Sequence, residues 1–207
     1  MGKIKYMTKI VRIILLIILI GLLVNKADAQ VVYTPIDFKL ETNKVNNTTE
    51  LICSSSTLIV KFQFKRELSV LNESNLISID NQAMQIVPLK FSEPKNDTIS
   101  DTLNSHKALL DKYSKYELDY YKNDLGISVI NLNHQWVVTK SRGWYIWYFK
   151  VGNTKLVENQ TQIQLFASTV IGDNIFTINA PILIGGDFAK AGTIVNDMME
   201  AITIMKQ

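Results

Sequence analysis

The sequence predicts an α+β domain: an antiparallel sheet of about six to eight strands packed with two main helices. Three observations carry that expectation. Residues 58–65 set Leu58, Val60, Phe62 and Phe64 against a mostly polar second face of Ile59, Lys61, Gln63 and Lys65, the period of a one-sided strand, residues 135–151 (QWVVTKSRGWYIWYFKV) hold all three tryptophans in two β-prone runs, and residues 187–205 close the chain on a helical stripe.

The first 29 residues have a different character. Lys3, Lys5, Lys9 and Arg12 precede an unbroken apolar run over residues 13–24, and Ala27-Asp28-Ala29 supplies a small-x-small cleavage site ahead of Gln30. This is the layout of a secretory signal, so residues 1–29 are expected to be removed between Ala29 and Gln30. An apolar run of that length makes a helix of only about 18 Å, short of a hydrocarbon core of about 30 Å, which disfavours an uncleaved anchor. A soluble periplasmic or extracellular protein of residues 30–207 is the expectation, with residues 30–56 as a strand and polar lead-in. The segment also holds five of the 22 Lys+Arg and one of the 19 Asp+Glu, leaving 17 basic against 18 acidic residues. The basic character of the whole chain is therefore that of its leader, and no nucleic-acid or anionic-lipid partner is implied.

Cys53 is the only cysteine, which excludes an internal disulfide and a thiol-rich metal site. It also lies too far past the apolar run to carry a lipoprotein's lipid. The fold must rest on its hydrophobic core.

Residues 31–40 are extended in character, and Pro35 confines them to an edge or entry strand. Residues 41–50 (ETNKVNNTTE) read as a polar loop. Asn46, Asn47, Asn72, Asn96 and Asn159 fit the N-x-[ST] acceptor pattern, which matters only in a eukaryotic secretory pathway. Leu58, Val60, Phe62 and Phe64 face inward from one strand, while Lys61, Lys65 and Arg66 form its solvated face and end. Residues 76–79 and 84–91 are two short strands around a turn at Asp80-Asn81-Gln82, with Pro88 placing the second at an edge or bulge. Residues 92–100 (SEPKNDTIS) are a breaker-rich connection.

A long helix is predicted over residues 101–125. Leu109, Tyr113, Tyr116 and Tyr120 recur at helical spacing, Asp111 precedes Lys115 by four residues, and Gly126 suits the C′ position. The aromatic stripe reads as a face packed on a sheet rather than a ligand wall. Residues 127–132 lead into the tryptophan hairpin, which breaks at Ser141-Arg142-Gly143. In its second arm Tyr145, Trp147, Phe149 and Val151 point one way and Trp144, Ile146, Tyr148 and Lys150 the other, the mark of a central strand covered on both faces. Residues 161–170, with Ile163, Leu165 and Ala167 on one side, turn at Gly172-Asp173-Asn174 into residues 175–184 and complete a meander. Gly185-Gly186 ends the last strand, and Asp187 caps a helix whose stripe is Phe188, Ala191, Val195, Met198, Ile202 and Met205. That stripe suits docking on a sheet better than a coiled-coil seam, and Gly185-Gly186-Asp187 lacks phosphate-loop spacing.

The order from the long helix onward, with the tryptophan hairpin, the Ile-Gly-Asp-Asn turn and the closing Gly-Asp-Phe helix, resembles the Mog1/PsbP-like superfamily, and more narrowly its uncharacterised exported members in Bacteroidota. The resemblance spans residues 52–205 as a pattern. It implies a curved antiparallel sheet between helix layers, and it brings no reaction and no catalytic residues. In such bacteria Asp97-Thr98-Ile99 and Asp101-Thr102-Leu103 resemble the short acceptor sites of envelope O-glycosylation, which makes Thr98 and Thr102 candidate glycan carriers.

Chemistry is sparse. His106 and His134 are the only histidines and lie in no ligand motif, although a zinc site completed by Asp or Glu would need them together. Ser54-Ser55-Ser56 lacks a nucleophile elbow. Glu117 and Asp119 do not face one another and read as solvated helix charges. No catalytic residue, metal or cofactor is assigned. Two functions are open: a non-enzymatic module that docks a protein or cell-envelope component, and a carrier of a small apolar or aromatic ligand suggested by the Tyr and Trp surplus. An enzyme ranks third. Arg142, at the hairpin tip, with Trp144 and Tyr145, is the candidate binding surface.

Overall fold

The computed structural model describes residues 30–33, 37–43, 48–55, 58–71, 75–92, 102–140, 142–152 and 161–205. The strands are β1 (Gln30–Tyr33), β2 (Asp37–Asn43), β3 (Thr48–Ser54), β4 (Ile59–Phe64), β5 (Leu68–Val70), β6 (Leu76–Ile79), β7 (Gln82–Ser92), β8 (Val129–Thr139), β9 (Arg142–Val151), β10 (Thr161–Ile171), β11 (Asn174–Leu183) and β12 (Ile202–Met205). The helices are α1 (Leu103–Asp119), continued by a π-helical turn over Tyr120–Asp124, and α2 (Phe188–Ala201).

The fold is α+β, and every strand pair is antiparallel. The large sheet runs β5-β6-β7-β11-β10-β9-β8, with β1 also on β7, and a second sheet runs β12-β4-β3-β2. One core joins β3, β4 and α2 to one face of the large sheet through Val60, Phe62, Trp144, Phe176, Ile178 and Met198. The other core packs α1 on the opposite face through Leu110, Tyr113, Tyr121, Trp147, Phe149 and Phe166. The predicted alternation along residues 144–151 holds, since Trp144 and Trp147 lie in different cores.

Several local choices follow from backbone chemistry. Asp80 and Asn81 both take positive φ (48° and 65°), so β6 and β7 join through the tight turn that the twist of a hairpin favours. Gly172 (φ 57°) does the same between β10 and β11. The Thr102 side chain accepts the Ser105 N–H at the start of α1, and the Asp187 side chain accepts the Lys190 N–H at the start of α2.

Other expectations are corrected. Residues 31–40 are not one strand: β1 and β2 belong to different sheets, and Pro35 lies outside the described residues between them. Much of the polar stretch over residues 41–50 is strand, because β2 and β3 pair from Asp37↔Ser54 to Asn43↔Thr48 and need cover on one side only. Pro88 sits inside the sheet opposite Phe176, yet on its other side it falls between the partners of β6 and those of β1, where no ladder donor is required. The buried stripe of α1 is Leu110, Tyr113, Ser114 and Leu118, with Leu109, Tyr116 and Tyr120 only partly covered. The closing helix stops at Ala201; the β-branched run from Ile202 pairs with β4 as β12, so Ile202 and Met205 leave the helical stripe.

The tryptophan hairpin differs in two ways. Its turn includes Lys140 (φ 49°) and Thr139 pairs with Arg142, so Arg142 and Gly143 belong to β9; Ser141 lies outside the described residues. β9 is covered on both faces but is next to last in the sheet; the near-continuously buried β10 and β11 hold the middle. Gly143 is in the strand because the Trp136 indole lies across it, and a Cβ there would meet the ring at 2.1 Å. Gly143→Ala is expected to displace Trp136 and lower stability by about 1–3 kcal/mol, as overpacking does, measured by denaturant unfolding.

Arg66, expected as a solvated strand end, is a tie between distant elements. Its Nη1 donates to Asp80 at 2.7 Å and its Nη2 to Asp197 at 2.5 Å, fastening α2 to the β6–β7 turn. These bonds, Asp80 first, raise the guanidinium pKa further. Arg66→Ala is expected to cost about 1–2 kcal/mol by chemical denaturation, less at high salt, since the groups are partly exposed.

Candidate functional site

The predicted surface of Arg142, Trp144 and Tyr145 does not exist as one surface. Trp144 is fully buried on the α2 side, Tyr145 is buried on the α1 side, and Arg142 is half-buried with Nη1 donating to the Val170 carbonyl at 3.3 Å. Successive strand residues point to opposite faces, so the adjacent Trp144 and Tyr145 cannot share one. Burial lowers the Arg142 pKa.

The structure exposes the neighbouring strand instead. β8 ends the large sheet, and among the described residues no strand pairs with its outer side. Its sequence, VINLNHQWVVT, contains no Asp, Glu, Lys or Arg, while Ile130, Leu132 and Val138 are 44, 42 and 51% exposed. The usual protections of an edge are shortness, charge, proline or a bulge; β8 has only the last. The bulge lies between Ile130 and Asn133, where Asn131 takes φ 51°. The opposite edge, β5, is three residues long.

A polar seam runs beside β8 where α1 meets the sheet. The Tyr145 hydroxyl donates to Asp111 Oδ1 at 3.0 Å, and Lys115 Nζ donates to Asp111 Oδ2 at 2.6 Å, the predicted helical pair. The His134 ring stacks on Tyr145 with centroids 5.9 Å apart. Lys115 holds the Asp111 carboxyl below its ordinary range, whereas burial, with Asp111 adding to it, pushes the Tyr145 phenol up to about 12. A phenol so held is a hydrogen-bond donor rather than a base, so the seam orients side chains along β8 and offers no nucleophile.

Beneath α1 lies a second polar group, Glu117, which is not the solvated helix charge that the sequence suggests. Glu117 is half-buried beside Tyr113, and burial pushes its pKa up to about 7 against the opposing hydrogen bond from Tyr113. Tyr113 is also bonded to Thr177, whose hydroxyl lies 2.9 Å from that of Ser168. Asp119, by contrast, is exposed. The signal available in the sequence was the position of Glu117, four residues after Tyr113 and one before Leu118, on the flank of the buried stripe.

The remaining candidates are dispersed. The Cys53 thiol is buried and its pKa is pushed far up by desolvation, which makes it unreactive. His106 sits in the first turn of α1, and among the described residues no three His, Cys, Asp or Glu side chains are placed to hold a metal. Ala29, Thr98, Asn46, Asn47, Asn72, Asn96 and Asn159 lie outside the described residues, Gln30 begins β1, and Thr102 is exposed at the α1 cap. An open cleft of about 780 Å³ between the small sheet, the α2 end and the hairpin tip is lined by Lys65, Arg66, Asp80, Lys140, Asp197 and Glu200. Its walls are polar, unlike the enclosed apolar pocket a carrier would need. Among the described residues, no helix is long and apolar enough to cross a membrane.

No protein-family model matches the chain, and no curated protein does. Among solved structures, the chain is similar to the solution structure of cyanobacterial PsbP (CyanoP) from Synechocystis sp. PCC 6803, with TM-score 0.44 and 11% identity over 88% of this chain and 95% of that one.

Proposed function

We propose that this protein is a non-catalytic docking module of the cell envelope, exported by its first 29 residues, and that β8 is the edge on which a protein partner adds a strand. The observation that carries this reading is the eleven-residue, charge-free outer strand with three exposed aliphatic side chains. An extended segment laid along β8 would pair the outward backbone N–H and C=O groups that no strand among the described residues takes, and would cover Ile130, Leu132 and Val138, the mode of β-strand addition. Export rests on the leader's charge and hydropathy pattern, and O-glycosylation at Thr98 or Thr102 belongs to the same envelope setting. A glycan on Thr102 would keep its oxygen as helix-cap acceptor, so modification and folding are compatible there.

A photo-reactive phenylalanine analogue at Val138 tests the docking edge in the native host. Adducts are expected at Val138 and not at Lys122 in the π-helical turn after α1, and they should vanish when Leu132 is changed to Lys. Equal labelling at both positions, or no adduct at Val138, would contradict the reading.

A further inference from the structure

We propose that the strand added to β8 is the β8 of a second copy of this chain, paired antiparallel about Gln135; this rests on the docking-edge reading above. The regular part of β8 is bounded by the bulge at Asn131 and by the turn at Lys140, both at positive φ. Between them lies Leu-Asn-His-Gln-Trp-Val-Val, residues 132–138.

Faces are fixed by the pairing with β9. His134 and Trp136 stand opposite Trp147 and Tyr145 and so lie on the α1 side, whereas Gln135 and Val137 stand opposite Ile146 and Trp144 on the α2 side. By the same alternation Leu132 and Val138 are on the α1 side and Asn133 on the α2 side. A two-fold axis through Gln135 sets Leu132 against Val138, Asn133 against Val137, His134 against Trp136 and Gln135 against itself. Every pair shares a face, the two most exposed aliphatic groups of the segment meet each other, and no like charges are opposed because the segment has none.

That symmetry is what an isologous interface requires, since the same patch must serve on both partners. A one-residue change of register, by contrast, puts the axis between residues and inverts the second copy, so the α1 face of one copy would continue into the α2 face of the other. Among residue-centred registers, which all keep like faces together, the one centred on Gln135 is the register that sets exposed Leu132 against exposed Val138. The result is one continuous sheet across two copies, with the seam of Asp111, Lys115 and Tyr145 flanking the junction on each side.

The test is a Gln135→Cys variant of the protein in the form its host accumulates, left to oxidise and run without reductant. Residues on the axis of an antiparallel pair have Cα atoms about 4.5–5.5 Å apart, inside the usual disulfide span of about 4.4–6.8 Å. The expected result is a covalent dimer for Gln135→Cys and none for the parent, whose Cys53 is buried. Sedimentation of the cysteine-free-surface parent should show a monomer–dimer equilibrium, and Leu132→Lys with Val138→Lys should weaken it by roughly tenfold or more. A monomer throughout, with no Gln135→Cys dimer, overturns self-pairing. If the Val138 photo-probe then joins a different protein, the docking reading stands without it; if the probe joins nothing, both fall.

Discussion

Replacing Trp147 with alanine is expected to cost about 3–5 kcal/mol, a large part of the roughly 5–15 kcal/mol that holds a domain of this kind. The indole is 1% exposed and stacks on Phe166 with centroids 3.9 Å apart and planes 8° from parallel. Phe149 lies on the same face at 6.1 Å, and Tyr121 reaches both phenylalanines edge-on from the π turn that follows α1. Truncation would therefore leave a cavity among rings that α1 and the sheet both hold, with little freedom to collapse. Trp147→Phe should cost far less: the indole Nε1 is buried without a hydrogen-bond partner among the described residues, so the smaller ring removes that penalty as it gives up area. Urea denaturation of the two variants checks both, and a Trp147→Ala protein as stable as the parent would mean that the α1 core is not the main support of the sheet.

The second large effect is a stability that declines as pH rises through neutrality. Glu117 has an unfolded value of 4.5 and a folded value of about 7, raised by burial, so the folded state favours the protonated acid. Its contribution is fully present below about 4.5 and is lost as pH rises to about 7, where the carboxylate must stay charged beside Tyr113. Tyr113, Tyr116 and Tyr121 all feel that charge, which adds to burial in raising their own pKa values. Because Glu117 is half-buried, solvent screening reduces the effect to on the order of 2 kcal/mol. Glu117→Gln keeps a hydrogen-bonding partner for Tyr113 without the charge. It should raise the melting temperature at pH 8, change little at pH 4, and flatten the profile between them; an unchanged slope would show that another group sets it.

How far the sequence reading reached depended on whether a feature was local. The period-2 run of Leu58, Val60, Phe62 and Phe64, the Asp80-Asn81 turn, the Asp187 cap and the left-handed Gly126 (φ 62°) after α1 are each decided within a few residues, and the structure has them all. The β12 strand was hidden because Ile202 and Met205 also fit a helical period; only pairing with β4 decides between them. β3 was hidden by its threonines, which are at home on a sheet with a wet face.

The site was less legible for a related reason. Aromatic richness drew attention to Trp144 and Tyr145, yet β9 is covered by β8 and β10 at its sides and by a core on each face, so its aromatics are structural. The exposed character of β8 follows from its place at the end of the sheet order, a non-local fact. Its lack of charge was readable, but only an unpaired edge makes that lack consequential. Arg66 likewise finds Asp197 across most of the chain, a partnership no spacing rule announces.

The most direct test of β8 as the working surface is backbone hydrogen exchange over residues 132–138, measured in cell extract and again on the purified protein at high dilution. A docking edge requires outward-facing amides of this segment to be protected in extract and to exchange quickly after dilution, with the β10 and β11 amides slow in both. Equal and fast exchange of β8 under both conditions would contradict it, because the edge would then be unpaired where the protein works.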